Sequence, residues 1–316
     1  MPNTTLIEYL DSSWNPMKGC APWGSGHQTD GCARCWAQRM AARFAKPGEM
    51  FEGLTEGGQW TGLTKLYPHE LIKPVWWTRP RRIGVSFMGD MFNDGADWRD
   101  QAAVFGAMLM ASQHKFLILT KQPFRIRKLA NCLSHPSLKR WLDDQLIDPD
   151  LTPAQLCVEI AKRKTAEPVF NYRKLTDLTF PPENVWTGTS VENQKTADYR
   201  INQLRQLQGF NGRLWLSVEP MLEAITLKEW LPFLDFVVVG GESGPGHRPM
   251  NLDWARSIRD ECFEAEVPFF FKQTAGKGFI PEDLIVHQIP SQLETTEPKA
   301  TASSSGKHQE VFRVLH

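Results

Sequence analysis

The chain has 316 residues, enough to bury a large core as one big domain or two ordinary ones. Apolar residues make up 41% and charged residues 23%, and 36 Lys plus Arg balance 36 Asp plus Glu. That balance excludes a global field that gathers polyanions, so a nucleic-acid partner would have to be met by a local basic patch. No apolar run reaches membrane-spanning length, and residues 1–14 lack the charged-then-apolar pattern of a secretion signal. The expectation is a cytoplasmic, reducing location with no membrane partner, where clustered cysteines bind metal or react rather than pair.

In chain order, short β-rich apolar runs recur at 7–16, 82–90, 115–123, 184–193, 213–220, 236–244 and 267–273. They are continuous rather than alternating in hydrophobicity, as expected for parallel strands buried on both faces. Helix-like segments at 98–113, 194–207 and 251–266 lie between them, the last opening on the cap residue Asn251. This rhythm predicts an α/β fold with a parallel sheet. Seven strands without a dinucleotide glycine fingerprint favour a partial or irregular (β/α) barrel over residues 1–290. Residues 132–180 read as a helical insertion, with SLKRWLDDQL (137–146) and PAQLCVEIAKRKT (153–165) as its helices. Residues 291–316 read as a flexible C-terminal tail, Ser/Thr-rich and poor in apolar side chains over 291–309.

In a barrel of parallel strands the active site lies where the carboxyl ends of the strands open into loops. Asp90, Lys121, Glu192, Glu219, Glu242 and Lys272 each fall at or just after such an end. Strand ends that meet solvent carry polar residues anyway. Six of six, with Ser-Val-Glu occurring at both 190–192 and 217–219, favours a functional mouth. In GGESGPGHRP (240–249), Gly240 and Gly241 allow backbone to approach a ligand closely, and Arg248 suits a carboxylate or phosphate. The segment is no phosphate-binding loop, because no Lys-Ser/Thr follows at the required spacing.

The stretch GCAPWGSGHQTDGCARCW (19–36) places three of the chain's six cysteines over the same mouth. Cys20, His27, Cys32 and Cys35 would make a zinc site with a common two-residue spacing. Cys32 and Cys35 also form a redox Cys-x-x-Cys, although Cys20 then has no role. A third reading is an iron–sulfur cluster on three thiolates, which leaves one iron open to a ligand. Cys132, Cys157 and Cys262 lie far apart on helix-like segments and read as inert core thiols.

Beyond the cysteines, an ordered series of blocks covers residues 6–131 and 183–290: SSWNPMKGC…GCARCWA, PRRIGVSFMGDMFND, FLILTKQP, NVWTGTSVENQ, LWLSVEPML and VVVGGESGPGHRPM…VPFFFKQ. The series resembles a bacteriophage and prophage family of radical-SAM-like proteins that is distantly similar to spore photoproduct lyase. The resemblance implies a partial barrel with a [4Fe–4S] cluster on Cys20, Cys32 and Cys35. It implies S-adenosylmethionine on the open iron, cleaved by one electron to methionine and a 5′-deoxyadenosyl radical that takes hydrogen from substrate. Glu192, Glu219 or Glu242 would then bind that cofactor's ammonium or ribose, and Lys121 or Lys272 its carboxylate, with Gly240, Gly241 and Arg248 alongside. Asp90, Lys121 and Lys272 are the candidates for catalysis.

The sequence departs from radical-SAM enzymes at large in having eleven residues, not three, between its first two cysteines. The insertion at 132–180 is a second departure. Trp14, Trp36, Phe87 and Phe92 suit a shield around a radical. The implied electron donor is a flavodoxin or ferredoxin. The implied substrate is a modified thymine in phage DNA, isomerised by a radical shift, with Arg79, Arg81, Arg82 and Arg125, Arg127, Lys128 as clusters that hold its backbone. Alternative readings are a radical-SAM enzyme on RNA or a small metabolite, and a zinc-stabilised nucleic-acid-binding module without catalysis.

Overall fold

The seven apolar runs become seven strands: β1 (Ser12–Trp14), β2 (Arg82–Val85), β3 (Lys115–Thr120), β4 (Val185–Val191), β5 (Arg213–Val218), β6 (Phe236–Gly240) and β7 (Phe269–Gln273). In this computed structural model, which describes residues 5–21, 29–133, 145, 151–165, 182–207 and 213–295, all neighbours pair in parallel and in chain order. No ladder joins β7 back to β1 among the described residues. The result is an α/β half-barrel with surrounding helices, as the sequence predicts.

Alternate residues face opposite sides of the curved sheet. Val185, Val191, Leu216, Val218, Val239 and Phe271 belong to the core between sheet and helices. Leu117, Trp186, Trp215, Phe236, Val238 and Phe270 form a second cluster in the lumen, with Tyr9, Leu10 and Leu293. Gly188 makes this filling possible, since a Cβ there would lie 2.4 Å from the Trp215 ring. The indole is satisfied where it lies, donating from Nε1 to the Ile118 carbonyl at 3.0 Å.

The longer helices are α1 (Trp36–Arg43), α2 (Trp98–Met110), α3 (Phe124–Leu133), α4 (Pro153–Thr165), α5 (Gln194–Leu204) and α6 (Leu252–Glu264). α4 is the second of the two helices expected within 132–180, with the expected bounds. Its Leu156, Cys157 and Ile160 are buried in the main core, and a Cβ on Gly106 of α2 would strike the Cys157 carbonyl oxygen at 2.1 Å. Backbone thus touches backbone between α2 and α4. The expected helix at 137–146 lies, apart from residue 145, outside the described residues. Leu293 is fully buried against the lumen cluster, so structure continues past the tail boundary drawn at 291, while 296–316 lie outside the described residues. Among the described residues no helix is long and apolar enough to cross a membrane.

Candidate functional site

The lumen changes character along each strand. Leu117 and Leu119 lead to Lys121, Trp186 and Ser190 to Glu192, Trp215 and Ser217 to Glu219, and Phe270 to Lys272. Each charged residue follows its apolar predecessor by an even number of positions and therefore shares its face. Aromatic rings fill the amino end of the barrel, and charges ring the carboxyl end.

The three cysteines reach this ring by different supports. Gly19 adopts φ 109°, its Cβ position is closed by the Leu63 carbonyl oxygen at 2.1 Å, and it forms a parallel bridge with Gly89. The Asp90 amide donates to the Gly19 carbonyl at 3.0 Å, so Cys20 is zipped to the extension of β2. Burial, and then Asp90, Cys35 and Cys32, push its thiol well above the usual range. Cys32 ends a tight 3-10 turn (Asp30–Cys32), and Lys121 Nζ donates to its Sγ at 3.2 Å. Cys35 caps α1, its Sγ accepting from the Gln38 amide at 3.5 Å. The turn is pinned from across the mouth. Arg248 donates to the Asp30 carbonyl at 3.0 Å, Arg39 to the Pro245 carbonyl at 3.0 Å, and Arg34 to the Gly246 carbonyl.

Glu192 is fully buried. Arg200 donates from Nη1 to its Oε2 at 2.8 Å and from Nη2 to Thr29 Oγ1 at 3.2 Å, while Glu192 Oε1 has no hydrogen-bond partner. Gly31 lies directly above, where a Cβ would sit 3.1 Å from Lys121 Nζ and 3.3 Å from Glu192 Oε1. Burial alone would push the Lys121 ammonium down, but Cys32 and Glu192 outweigh it and leave it raised, so the cation is retained. Lys272 Nζ donates to Glu219 Oε1 at 2.5 Å, over the space that Gly240 leaves open. Arg248 forks onto Glu242, with Nη2 to Oε1 at 2.5 Å and Nε to Oε2 at 3.1 Å. Burial would raise the Glu242 carboxyl, but the Arg248 hydrogen bonds hold it below its usual value.

All six cysteines are free thiols, and among the described residues no three His, Cys, Asp or Glu side chains group around a single metal ion. Cys20, Cys32 and Cys35 as placed do not form the compact site a lone zinc needs, and His27 lies outside the described residues. A polynuclear iron–sulfur group asks for a different donor set: several thiols spread around a shared space, with charge nearby. Three thiols at one mouth, a cation on Cys32 and a buried carboxylate oxygen with no partner fit that requirement.

A family model described as "Protein of unknown function (DUF5131)" matches residues 4–307. The chain belongs to this family. Among solved structures the DUF5131 chain is similar to a point mutant of spore photoproduct lyase, with 8% identity over 87% of this chain and 79% of that one, at a TM-score of 0.43. It is also similar to a spore photoproduct lyase mutant with bound AdoMet and dinucleoside spore photoproduct, with 9% identity over 83% of this chain and 63% of that one, at a TM-score of 0.37. No curated protein matches it.

Asp90 points away from the lumen, its carboxylate accepting from the Phe92 amide at 2.9 Å, the Lys121 amide at 2.9 Å and Thr120 Oγ1 at 2.8 Å. Burial still pushes that carboxyl up. Its geometry is that of a clamp between the ends of β2 and β3, not of a free acid or base. The Gly241 amide donates to the Gln273 carbonyl at 2.9 Å. Trp14 and Phe92 sit in the core outside the sheet and Trp36 is 47% exposed, whereas Phe87 does pack on the lumen cluster. The rings inside the barrel are instead Trp186, Trp215, Phe236 and Phe270.

Arg79, Arg81 and Arg82 precede or begin β2 and so lie at the end opposite the mouth. Arg82 is paired with Asp11 at 3.1 Å, Arg81 donates to Ser12 Oγ at 3.3 Å, and the cluster does not form a clamp at the site. Arg125, Arg127 and Lys128 stand on α3, which starts just past the carboxyl end of β3. Sequence reasoning missed Arg200, Arg34 and Arg39. Arg200 had a signal: it shares one helical face with the buried Ala197, Ile201 and Leu204, where a guanidinium needs a partner.

Proposed function

We propose that this chain is a radical S-adenosylmethionine enzyme that holds a [4Fe–4S] cluster on Cys20, Cys32 and Cys35 and modifies or isomerises a hypermodified thymine base in phage DNA. One observation carries the reading: three free thiols and the unpartnered Glu192 Oε1 meet at the carboxyl mouth of an all-parallel half-barrel. Bound together, the cluster and S-adenosylmethionine would supply a one-electron cleavage to methionine and a 5′-deoxyadenosyl radical.

The protein's own residues bind, orient and keep out water. Glu192 Oε1 is a fixed acceptor, held by Arg200, for the cofactor's ammonium or a ribose hydroxyl. Lys272 and Glu219 neutralise each other at the rim, leaving no uncompensated charge to draw solvent inward. Trp186, Trp215, Phe236 and Phe270 close the floor of the barrel and would keep water from a reactive group held above them. A base inside a duplex must be flipped out to enter this lumen, and the exposed Arg127 and Lys128 supply backbone cations beside the mouth. A flavodoxin or ferredoxin is the donor class that suits the reduction.

Anaerobic reconstitution tests the reading. The expected outcome is iron and sulfide in the protein and release of 5′-deoxyadenosine, both lost in Cys32→Ala. A colourless protein that takes up zinc and releases no deoxyadenosine overturns it. Incubation with modified phage DNA tests the substrate, and an unchanged nucleoside composition removes DNA from the proposal.

A further inference from the structure

The three thiols at the mouth stand in unequal surroundings. Cys35 Sγ accepts from a neutral amide, that of Gln38 at 3.5 Å. Cys32 Sγ accepts from the ammonium of Lys121 at 3.2 Å. That ammonium is not a wandering surface group. The Lys121 amide is fixed by Asp90 Oδ2 at 2.9 Å, and its Nζ lies under Gly31, where a Cβ would approach to 3.1 Å. Glu192 lies on the same side of Gly31, its Oε1 3.3 Å from that Cβ position and without a donor. The Lys121 ammonium and the Glu192 carboxylate, whose Oε2 is paired with Arg200, therefore sit beneath the turn that presents Cys32.

We propose that Lys121 is a positioning residue that sets the reduction potential of the cluster through its hydrogen bond to Cys32, and that Glu192 opposes it. The inference rests on the cluster assignment made under the proposed function. In the reduction considered, one electron passes from an external donor to the cluster, whose core charge falls from 2+ to 1+ while the donor is oxidised by one electron. Added negative charge is stabilised by a nearby cation and a hydrogen bond to sulfur, and destabilised by a nearby carboxylate. Lys121 thus favours the reduced state and Glu192 the oxidised one. The pair gives the chain a means of adjusting electron entry that does not change the ligand set.

The test is a redox titration of the reconstituted protein with dithionite, read by the electron paramagnetic resonance of the reduced cluster. Lys121→Met keeps the length of the side chain and removes its charge. It is expected to lower the midpoint so that, at the parent's midpoint, the reduced fraction relative to oxidised falls at least tenfold, a shift of about 59 mV for one electron. Lys121→Arg keeps the charge and is expected to stay within threefold of the parent. Glu192→Gln keeps an acceptor for Arg200, removes the negative charge, and is expected to shift the midpoint in the opposite direction. If Lys121→Met fails to hold a cluster, the sign of the Glu192→Gln shift decides alone.

Midpoints of Lys121→Met and Glu192→Gln equal to that of the parent, with parental iron and sulfide content, overturn this inference and leave the cluster assignment standing. A parent protein that binds no iron and sulfide overturns both.

Discussion

Gly240 and Gly241 are neighbours with opposite tolerances. A Cβ on Gly241 would lie 2.3 Å from the Ala275 backbone nitrogen, and backbone there has nowhere to go. A Cβ on Gly240 would meet nothing closer than 3.5 Å, against Gln273 Cγ and Glu219 Cδ. Gly241→Ala is accordingly expected to cost about 1–3 kcal/mol, while Gly240→Ala stays within about 0.5 kcal/mol of the parent, read from urea midpoints. Most of the site's residue types were legible in the sequence, because a cluster of thiols and charges at strand ends is a chemical statement in itself. Lys121, Glu192, Glu219, Glu242 and Lys272 were picked by position, and all five take part in the charged ring. Asp90 was picked on the same grounds, yet its oxygens are occupied by the Phe92 and Lys121 amides and by Thr120. Where a carboxylate points depends on tertiary register, which strand-end counting does not contain. Arg200 was missed because its partners, Glu192 and Thr29, come together only when α5 folds back over β4 and the cysteine loop crosses it.

At the scale of elements, α6 shows how a surface helix is tied to the segment beyond β7. Arg256 and Arg259 both reach Asp283, at 2.7 Å and 3.0 Å. The side-chain hydrogen bonds from Arg256 and then Arg259 hold the Asp283 carboxyl down at about 2 against an ordinary 3.8. A carboxyl depressed in the folded state adds stability that is full above its unfolded value and disappears as pH falls from there toward the folded value. The difference in urea midpoint between the parent and Asp283→Asn is therefore expected to be largest near pH 6. It should shrink as pH drops from about 4 toward 2, and added salt should also reduce it. A difference independent of pH would show that these arginines do not act through the carboxylate. The elements themselves were mostly readable, since uninterrupted apolar runs capped by polar clusters mark buried parallel strands. α4 was among them, expected as a helix over the residues it occupies, 153–165. α2 is apolar on every side, with Ala102, Ala103, Val104, Gly106 and Ala107 all buried. Such a helix must be covered on more than one face, and Leu156, Cys157 and Ile160 of α4 supply part of that cover.

For the molecule as a whole, the decisive feature is that the sheet curls but, among the described residues, does not close. Tyr9 packs edge-on against Phe270 at 5.6 Å and Phe236 at 6.2 Å, and Leu293 is fully buried with them. Burial, and then Glu219 above it, pushes the Tyr9 phenol well above its ordinary range, so it stays a neutral part of the plug. Leu293→Ala is expected to destabilise the entire fold by about 2–5 kcal/mol, seen as one cooperative thermal transition at lower temperature. Loss of a small separate transition instead would mean that the segment is an appendage. A hoop whose rungs run all the way round has one circumference, fixed by its register. Here a line of side chains does the joining, and reshaping Tyr9, Phe270 or Leu293 alters the bore without slipping any strand. Descendants of this fold can therefore admit guests of different girth while the cysteine loop and the charged ring stay where they are.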